Sequence, residues 1–440
     1  MDVRPLRVPP YRRLWVGNAV SMFGFQFTAV AVPVEMYATS GGSFWVGLIG
    51  LAGLVPLLVF GLWGGAVADL VDRRRLLIAS SSLMWLSTLG LLVQALLQVG
   101  SPMLLLGLVA VQSTAFAVSS PARAAIIPRL VPTELVPAAN TLGFTTYQAS
   151  MVFGPLTAGL IFAAWPPSTA LPIAYGVDAL LFSVSMWATL RLPPMPPSGP
   201  DADGAAEVRS DTGTSVGVGA AGGAGSAAGS GGRRRAAFGL GGIVDGFRYL
   251  ATTPVLLLSF AIDIVAMVLA MPRSLFPEVA QERFGGGAAI GWLYSAIAIG
   301  AVLGGLTSGW IGRVRRQGAA LVVAVVGWGL AVALAGVARQ LWLVVGLLAL
   351  AGAADLVSAV FRQSMLLVYV PDRMRGRLQG INTVVVAGGP RLGDLRAGAG
   401  AAAFGVGFAW VGGGVAAAVL AVVLALAFPA LLRYRSATVR

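Results

Sequence analysis

Side chains able to do chemistry are sparse in this sequence, and most of them interrupt apolar runs. Glu35, Asp178, Asp263, Asp355 and Asp394 stand inside such runs, together with Arg273, Arg362, Arg391 and Arg396. There is no histidine and no cysteine. That removes Ser-His-Asp catalysis, thiol nucleophiles, disulfides and the usual zinc ligands together, so no enzyme, metal site or cofactor is expected. An ionisable group within a membrane span costs about 2.5–3.5 kcal/mol on insertion scales, so each needs a reason to be there. Two reasons are available. Asp263, Asp355 and Asp394 nearly balance Arg273, Arg362, Arg391 and Arg396, and buried ion pairs among them would fix helix register. Arg391 and Asp394, three residues apart on one helical face, fit that reading. In the second reading some of the acids line a cavity, where loss of a partner in one state shifts their proton affinity.

The elements that carry these groups are membrane spans. Of 440 residues, 57% are hydrophobic and only 11% charged, with a mean hydropathy of +0.84. Soluble domains carry about 25% charged residues, so this is an integral membrane protein. The net charge of +13 does not indicate a nucleic-acid partner, because the arginines gather in alternate loops, as the positive-inside rule requires. One side holds Arg4, Arg7, Arg12 and Arg13, then Arg73–Arg75, Arg123 and Arg129. It also holds Arg313, Arg315 and Arg316, then Arg373, Arg375 and Arg377, and the tail arginines 433, 435 and 440. The other side has only Arg283 and Arg339. Both termini are therefore expected in the cytoplasm, and the first apolar segment is too long for a cleavable signal.

Twelve spans are predicted, at 14–38, 44–68, 76–99, 102–120, 135–163 and 170–190, then 254–276, 288–312, 318–338, 341–369, 378–404 and 408–432. The stretch 192–242 opens on a proline cluster and continues as a Gly/Ala/Ser run, which reads as a flexible cytoplasmic linker. It separates an N-terminal half, 1–191, from a C-terminal half, 243–440. The C-terminal half begins with a short amphipathic segment in which Ile243, Phe247 and Leu250 share a face, expected at the membrane interface.

The halves repeat. Gly64, Gly65, Arg73 and Arg75 recur as Gly304, Gly305, Arg313 and Arg315, with Asp69 replaced by Gly309. Ser119, Arg123, Val131 and Pro132 recur as Ser358, Arg362, Val370 and Pro371, and Gly154-Pro155 recurs as Gly389-Pro390. Matches in the same order indicate two parallel six-helix bundles related by an axis along the membrane normal.

The block Gly64–Arg75 ends an uncharged helix on Asp69, Asp72 and three arginines. Asp69 faces the negative end of its own helix dipole and needs a positive partner. The block resembles the loop between helices 2 and 3 of the major facilitator superfamily. Gly65, Ala68, Asp69, Arg73 and Arg74 match its pattern, while Leu70 and Asp72 depart from it. Pro371–Arg377 resembles the loop between helices 10 and 11, and Gly154–Gly159 resembles an antiporter signature of helix 5, with Ala158 in place of a glycine. Together with Leu14–Ala38 and its following Gly-Ser turn, these blocks are similar to the enterobactin-exporter-like branch.

The resemblance implies an all-α integral membrane protein of the major facilitator fold, with 12 transmembrane helices in two pseudo-symmetric halves. It implies a monomeric secondary transporter of a bacterial inner (plasma) membrane, working by alternating access. The expected activity is proton-coupled export (antiport) of a small organic compound such as a siderophore, drug or metabolite. Import of a small solute is the alternative, and a non-transporting receptor a distant one. Its partners would be the substrate, a proton or other ion gradient and the bilayer. In that superfamily helices 1, 4, 7 and 10 surround the substrate path, which singles out Asp263 and Asp355, then Glu35, with Asp394 and Arg391 as further coupling candidates. Asp178 falls on a peripheral helix and is expected to be structural. Gly65, Asp69, Arg73, Arg74, Arg123, Arg362 and Asp372 are the expected inner-gate residues, with Arg123 and Arg362 closing against Asp69 or Asp372. Gly154-Pro155 and Gly389-Pro390 are expected to kink or hinge their helices.

Overall fold

The computed structural model describes residues 2–70, 72–191, 246 and 248–434. The predicted linker 192–242 lies outside them, as do Ile243 and Phe247 of the predicted interfacial segment and the side chains of Asp69, Arg73 and Asp372. Leu250, expected at the interface, is 2% exposed and packs in the main core.

The N-terminal half contains α1 (Pro9–Ser40), α2 (Ser43–Leu70), α3 (Arg73–Leu96), α4 (Pro102–Leu130), α5 (Val136–Ala164) and α6 (Pro167–Leu190). The C-terminal half contains α7 (Pro254–Ala270), α8 (Phe276–Phe284), α9 (Ala288–Leu306), α10 (Gln317–Val337), α11 (Leu341–Tyr369), α12 (Asp372–Phe404) and α13 (Val406–Ala427). Proline opens α1 and α4, where its missing N–H has no intrahelical partner to lose. Gly41 takes the left-handed conformation (φ 70°) that turns α1 into α2. Asp72, where the family pattern has glycine, caps α3 by accepting from the backbone N–H of Arg74 and Arg75 at 2.9 and 3.0 Å.

Among the described residues, eleven segments are long and apolar enough to cross a membrane. The predicted eleventh span, α12, falls outside that set because Arg391, Asp394 and Arg396 dilute its apolar character. At 33 residues it exceeds the roughly 20 that a span needs. The predicted seventh span is not one rod. It is interrupted between α7 and α8 by extended Met271 (φ −71°, ψ 119°) and a short 3-10 turn, Arg273–Leu275. Pro272 is the cause, since a proline pushes the residue before it out of the helical region and donates no hydrogen bond itself.

The two halves pack alike, helix for helix. In the first, α1 packs on α5 and α6, α2 on α4, and α3 on α4 and α6. In the second, α7 packs on α12 and α13, α9 on α11, and α10 on α11 and α13. Between the halves α2 lies along α12 and α5 along α9, the same pairing read from either side.

Candidate functional site

Arg362 of α11 forms a salt bridge with Asp263 of α7, and the two side chains are 7% and 4% exposed. Removing both charges from water is costly, and mutual neutralisation is what makes it tolerable. Asp355 lies seven residues before Arg362, two turns along the same face of α11. It is within electrostatic reach of Asp263, Arg362 and Arg273. Two of the predicted coupling acids, Asp263 and Asp355, thus belong to one cluster.

Arg273 extends that cluster toward α12. It sits on the turn that interrupts the seventh span, and both Asp355 and Asp394 lie within its electrostatic reach. Irregular backbone at membrane depth persists only where protein or a water-filled cavity surrounds it. Tyr294 donates its hydroxyl to the Arg273 carbonyl at 3.3 Å, and Tyr147 of α5, in the other half, is also within reach of the guanidinium. The Arg273 Nε is buried without a hydrogen-bond partner among the described residues. Sequence reasoning did not single out this residue as a site. Pro272 was the available signal, because it moves Arg273 out of a helix and into a turn.

On α12 the charges divide their work. Asp394 accepts from the Ser274 N–H at 3.2 Å and lies within reach of Arg273, Arg391 and Arg396. Arg391, its predicted partner, has Nη1 buried with no hydrogen-bond partner among the described residues. Arg396 is spent on backbone. It donates to the carbonyls of Val268 at 3.3 Å, Ala409 at 2.9 Å and Leu269, satisfying the open C-terminal end of α7. Gly413 leaves room for that guanidinium, since a Cβ there would stand 2.6 Å from Nη2.

The acids of the N-terminal half are placed apart from this cluster. Glu35 accepts from Gln94 at 2.7 Å and Tyr175 at 2.6 Å, between α1, α3 and α6. Asp178 accepts from Thr28 at 2.6 Å, joining α6 to α1. Arg123 donates to the side-chain carbonyl of Asn18. Neither it nor Arg362 reaches a described partner in the opposite half. Trp328 and Phe361 are fully buried in the core.

The halves meet closely on the side that carries the 39–43 turn, opposite the N-terminus. A Cβ on Gly47 would stand 2.7 Å from the Asp394 carbonyl, and one on Gly50 would stand 2.5 Å from that of Arg391. Across the other seam, a Cβ on Gly159 would stand 2.7 Å from the Gly291 Cα. Small residues of this kind let membrane helices touch backbone to backbone. Two hydrogen bonds cross the same side: Tyr37 donates to Glu282 at 3.3 Å, and Ser43 donates to Glu278. The outer part of the charge cluster therefore abuts the closed seam. At Gly154 and Gly389, expected to kink or hinge their helices, Gln26 of α1 and Met267 of α7 pack close, and Pro155 and Pro390 stand inside α5 and α12.

The profile of the transmembrane secretion effector family matches residues 2–199 and 236–438. The enterobactin exporter EntS of Shigella boydii serotype 18 is 27% identical over 397 residues, covering 88% of this chain and 83% of that protein. The nucleoside transporter NupG superposes with a TM-score of 0.69 at 14% identity, over 97% of this chain and 100% of that one. A bacterial homologue of the lysosomal transporter Spinster, in an inward-facing and unoccupied conformation, does so with a TM-score of 0.67 at 16% identity, over 98% and 97%. The chain is thus a major facilitator superfamily transporter and belongs to the transmembrane secretion effector family.

Proposed function

We propose that this protein exports a small organic compound across a bacterial inner membrane by alternating access, driven by the proton gradient. The observation that carries the reading is the meeting of the Asp263–Arg362–Asp355–Arg273–Asp394 cluster with the glycine-lined seam. A proton or a substrate that binds this cluster better in one state biases the equilibrium by its differential affinity and by nothing else. The arginine distribution assigns the N-terminal side to the cytoplasm, so closure at the 39–43 turn corresponds to an inward-facing state. The family match and the EntS relative support export over import. Asp263, Asp355 and Asp394 are the proposed coupling acids, with Arg391 beside them. Glu35, held by two neutral donors, is given a packing role. Gly65, Asp69, Arg73, Arg74 and Asp372 are proposed to form the inner gate, and 192–242 to tether the halves as a monomer.

Efflux assayed in inverted vesicles with a panel of dyes and siderophores tests the reading. Accumulation inside the vesicles that collapses with a proton uncoupler is expected. Accumulation only in intact, right-side-out cells overturns it.

A further inference from the structure

The side that carries the 39–43 turn is poor in positive charge, and its two arginines, Arg283 and Arg339, come from different segments of the chain. The fold brings them to one place. Together with Gly336 and Val337 they line a cavity of about 510 Å³ at the end of α10. Arg283 reaches it from the last turn of α8 and donates Nη1 to the Gly336 carbonyl at 2.7 Å, satisfying one open carbonyl of α10. That bond leaves the other guanidinium donors, and the whole positive charge, available to a ligand. Arg339 follows α10 directly, makes no hydrogen bond to a described residue and, like Arg283, forms no ion pair with one. The acids nearest in the chain, Glu278 and Glu282 of α8, accept from Ser43 and Tyr37 of the other half. Asp69 and Asp372, whose side chains are not described, belong to the opposite ends of α2 and α12. The remaining undescribed acids lie in 192–245, which joins α6 to α7 on that opposite side as well.

We propose that this cavity binds the phosphate of an anionic phospholipid in the outer leaflet of the membrane. Two guanidiniums converging on one cavity present paired donors to phosphate oxygens. What surrounds them selects a lipid over a free anion. Val337, which lines the cavity, is exposed, and so is Leu334 on the same face of α10. Trp342, three residues after Arg339, is exposed as well, and a tryptophan at a span end sits at headgroup depth. An acyl chain lying along this apolar strip leaves its headgroup level with the arginines, a contact that free phosphate cannot add. Both arginines depart from the positive-inside rule, and a lipid anion supplies the counter-charge that no described acid gives them. A headgroup held by both also ties α8 to the turn after α10, and so braces the helix whose glutamates grip the other half. The inference takes its membrane orientation from the reading above and uses none of that reading's transport claims.

The test melts the full-length protein in a neutral detergent with added dioctanoylphosphatidylglycerol, dioctanoylphosphatidylcholine or inorganic phosphate. Phosphatidylglycerol is expected to raise Tm at a lower concentration than either of the others. Arg339→Gln should raise the concentration needed for half the effect about tenfold, the loss of one charge-assisted contact. Arg283→Gln should do the same, and should also melt lower because it gives up the bond to Gly336. Arg13→Gln, an exposed arginine on the opposite side, should leave that concentration unchanged. Equal effects of the two lipids overturn the anionic headgroup, and a wild-type response in both Arg339→Gln and Arg283→Gln overturns the cavity as its site. Inorganic phosphate acting at the same concentration as phosphatidylglycerol overturns the lipid as occupant. Gln340→Cys, beside the cavity in a chain that has no other cysteine, should react with a membrane-impermeant maleimide in spheroplasts. Labelling only after lysis overturns the outer leaflet and the membrane orientation together, whatever the melts show.

Discussion

Ser274 holds Asp394 at two points: its N–H donates to Oδ1 at 3.2 Å, and its hydroxyl donates to the backbone carbonyl at 2.8 Å. The turn that interrupts the seventh span is thereby tied to the helix that lines the seam. Ser274→Ala keeps the first bond and removes the second, a loss of about 1 kcal/mol. A lowering of Tm by a few degrees or less is expected in a detergent melt, with slower transport where the turn must hold its shape. An unchanged melt and unchanged transport would show that the hydroxyl contributes nothing.

Asp263→Asn and Asp355→Asn should both reduce gradient-driven transport, but they should differ in stability. The first substitution would leave Arg362 buried without its counter-charge, and breaking a buried pair costs about 3–5 kcal/mol. Asp355 makes no salt bridge with a described residue, so its amide variant should melt close to wild type. Thermal melts and uncoupler-sensitive transport, measured on the same preparations, separate the two roles.

Bulk at the seam should force the halves apart. Gly159→Leu or Gly291→Leu places side-chain atoms where the opposing backbone already stands. The side that carries the 39–43 turn should then open, and Ser43→Cys, in a chain that has no other cysteine, should react faster with a membrane-impermeant maleimide. Equal labelling rates with and without the leucine would count against this seam as the closure.

Arg396→Met should be among the most damaging substitutions to folding. It strips donors from three backbone carbonyls at the end of α7 and the start of α13. Hydrogen bonds from charged groups contribute about 1.5–3 kcal/mol each. Low yield and early aggregation on gel filtration are expected, whereas Arg391→Met, whose Nη1 makes no hydrogen bond to a described residue, should be recovered at near wild-type yield.

Glu35→Gln preserves the size of the side chain and an oxygen for the Tyr175 hydroxyl. Uncoupler-sensitive transport should remain within about twofold of wild type, since a neutral pair of this kind rearranges for roughly 1 kcal/mol or less. A tenfold fall in coupled transport would return Glu35 to the coupling machinery.

The spans and the repeated halves were legible in the sequence because apolar length and glycine-arginine blocks are local signals. Gly64-Gly65 and Gly304-Gly305 could be matched without knowing what they touch. Partnerships between helices were not legible. Nothing near Glu35 in the chain points to Gln94 or Tyr175, and nothing near Arg396 points to the carbonyls of Val268 and Leu269. Asp263 and Arg362 were each visible as charges that needed an explanation, but their pairing depends on how α7 and α11 cross. Arg273 was overlooked as a centre because the seventh span was read through Pro272 as one rod. Once that rod is broken, the same arginine can face two acids on different helices.

The break at Met271–Pro272 also divides labour along one membrane crossing. Its lower piece is anchored by Arg396, while the nine-residue upper piece, α8, carries both glutamates that grip Tyr37 and Ser43. Unlatching can therefore start as the swing of a small lever, opposed at first by those two grips, about 1–3 kcal/mol each. In the proposed alternating-access cycle, the heavier rotation of one half against the other would follow that first swing.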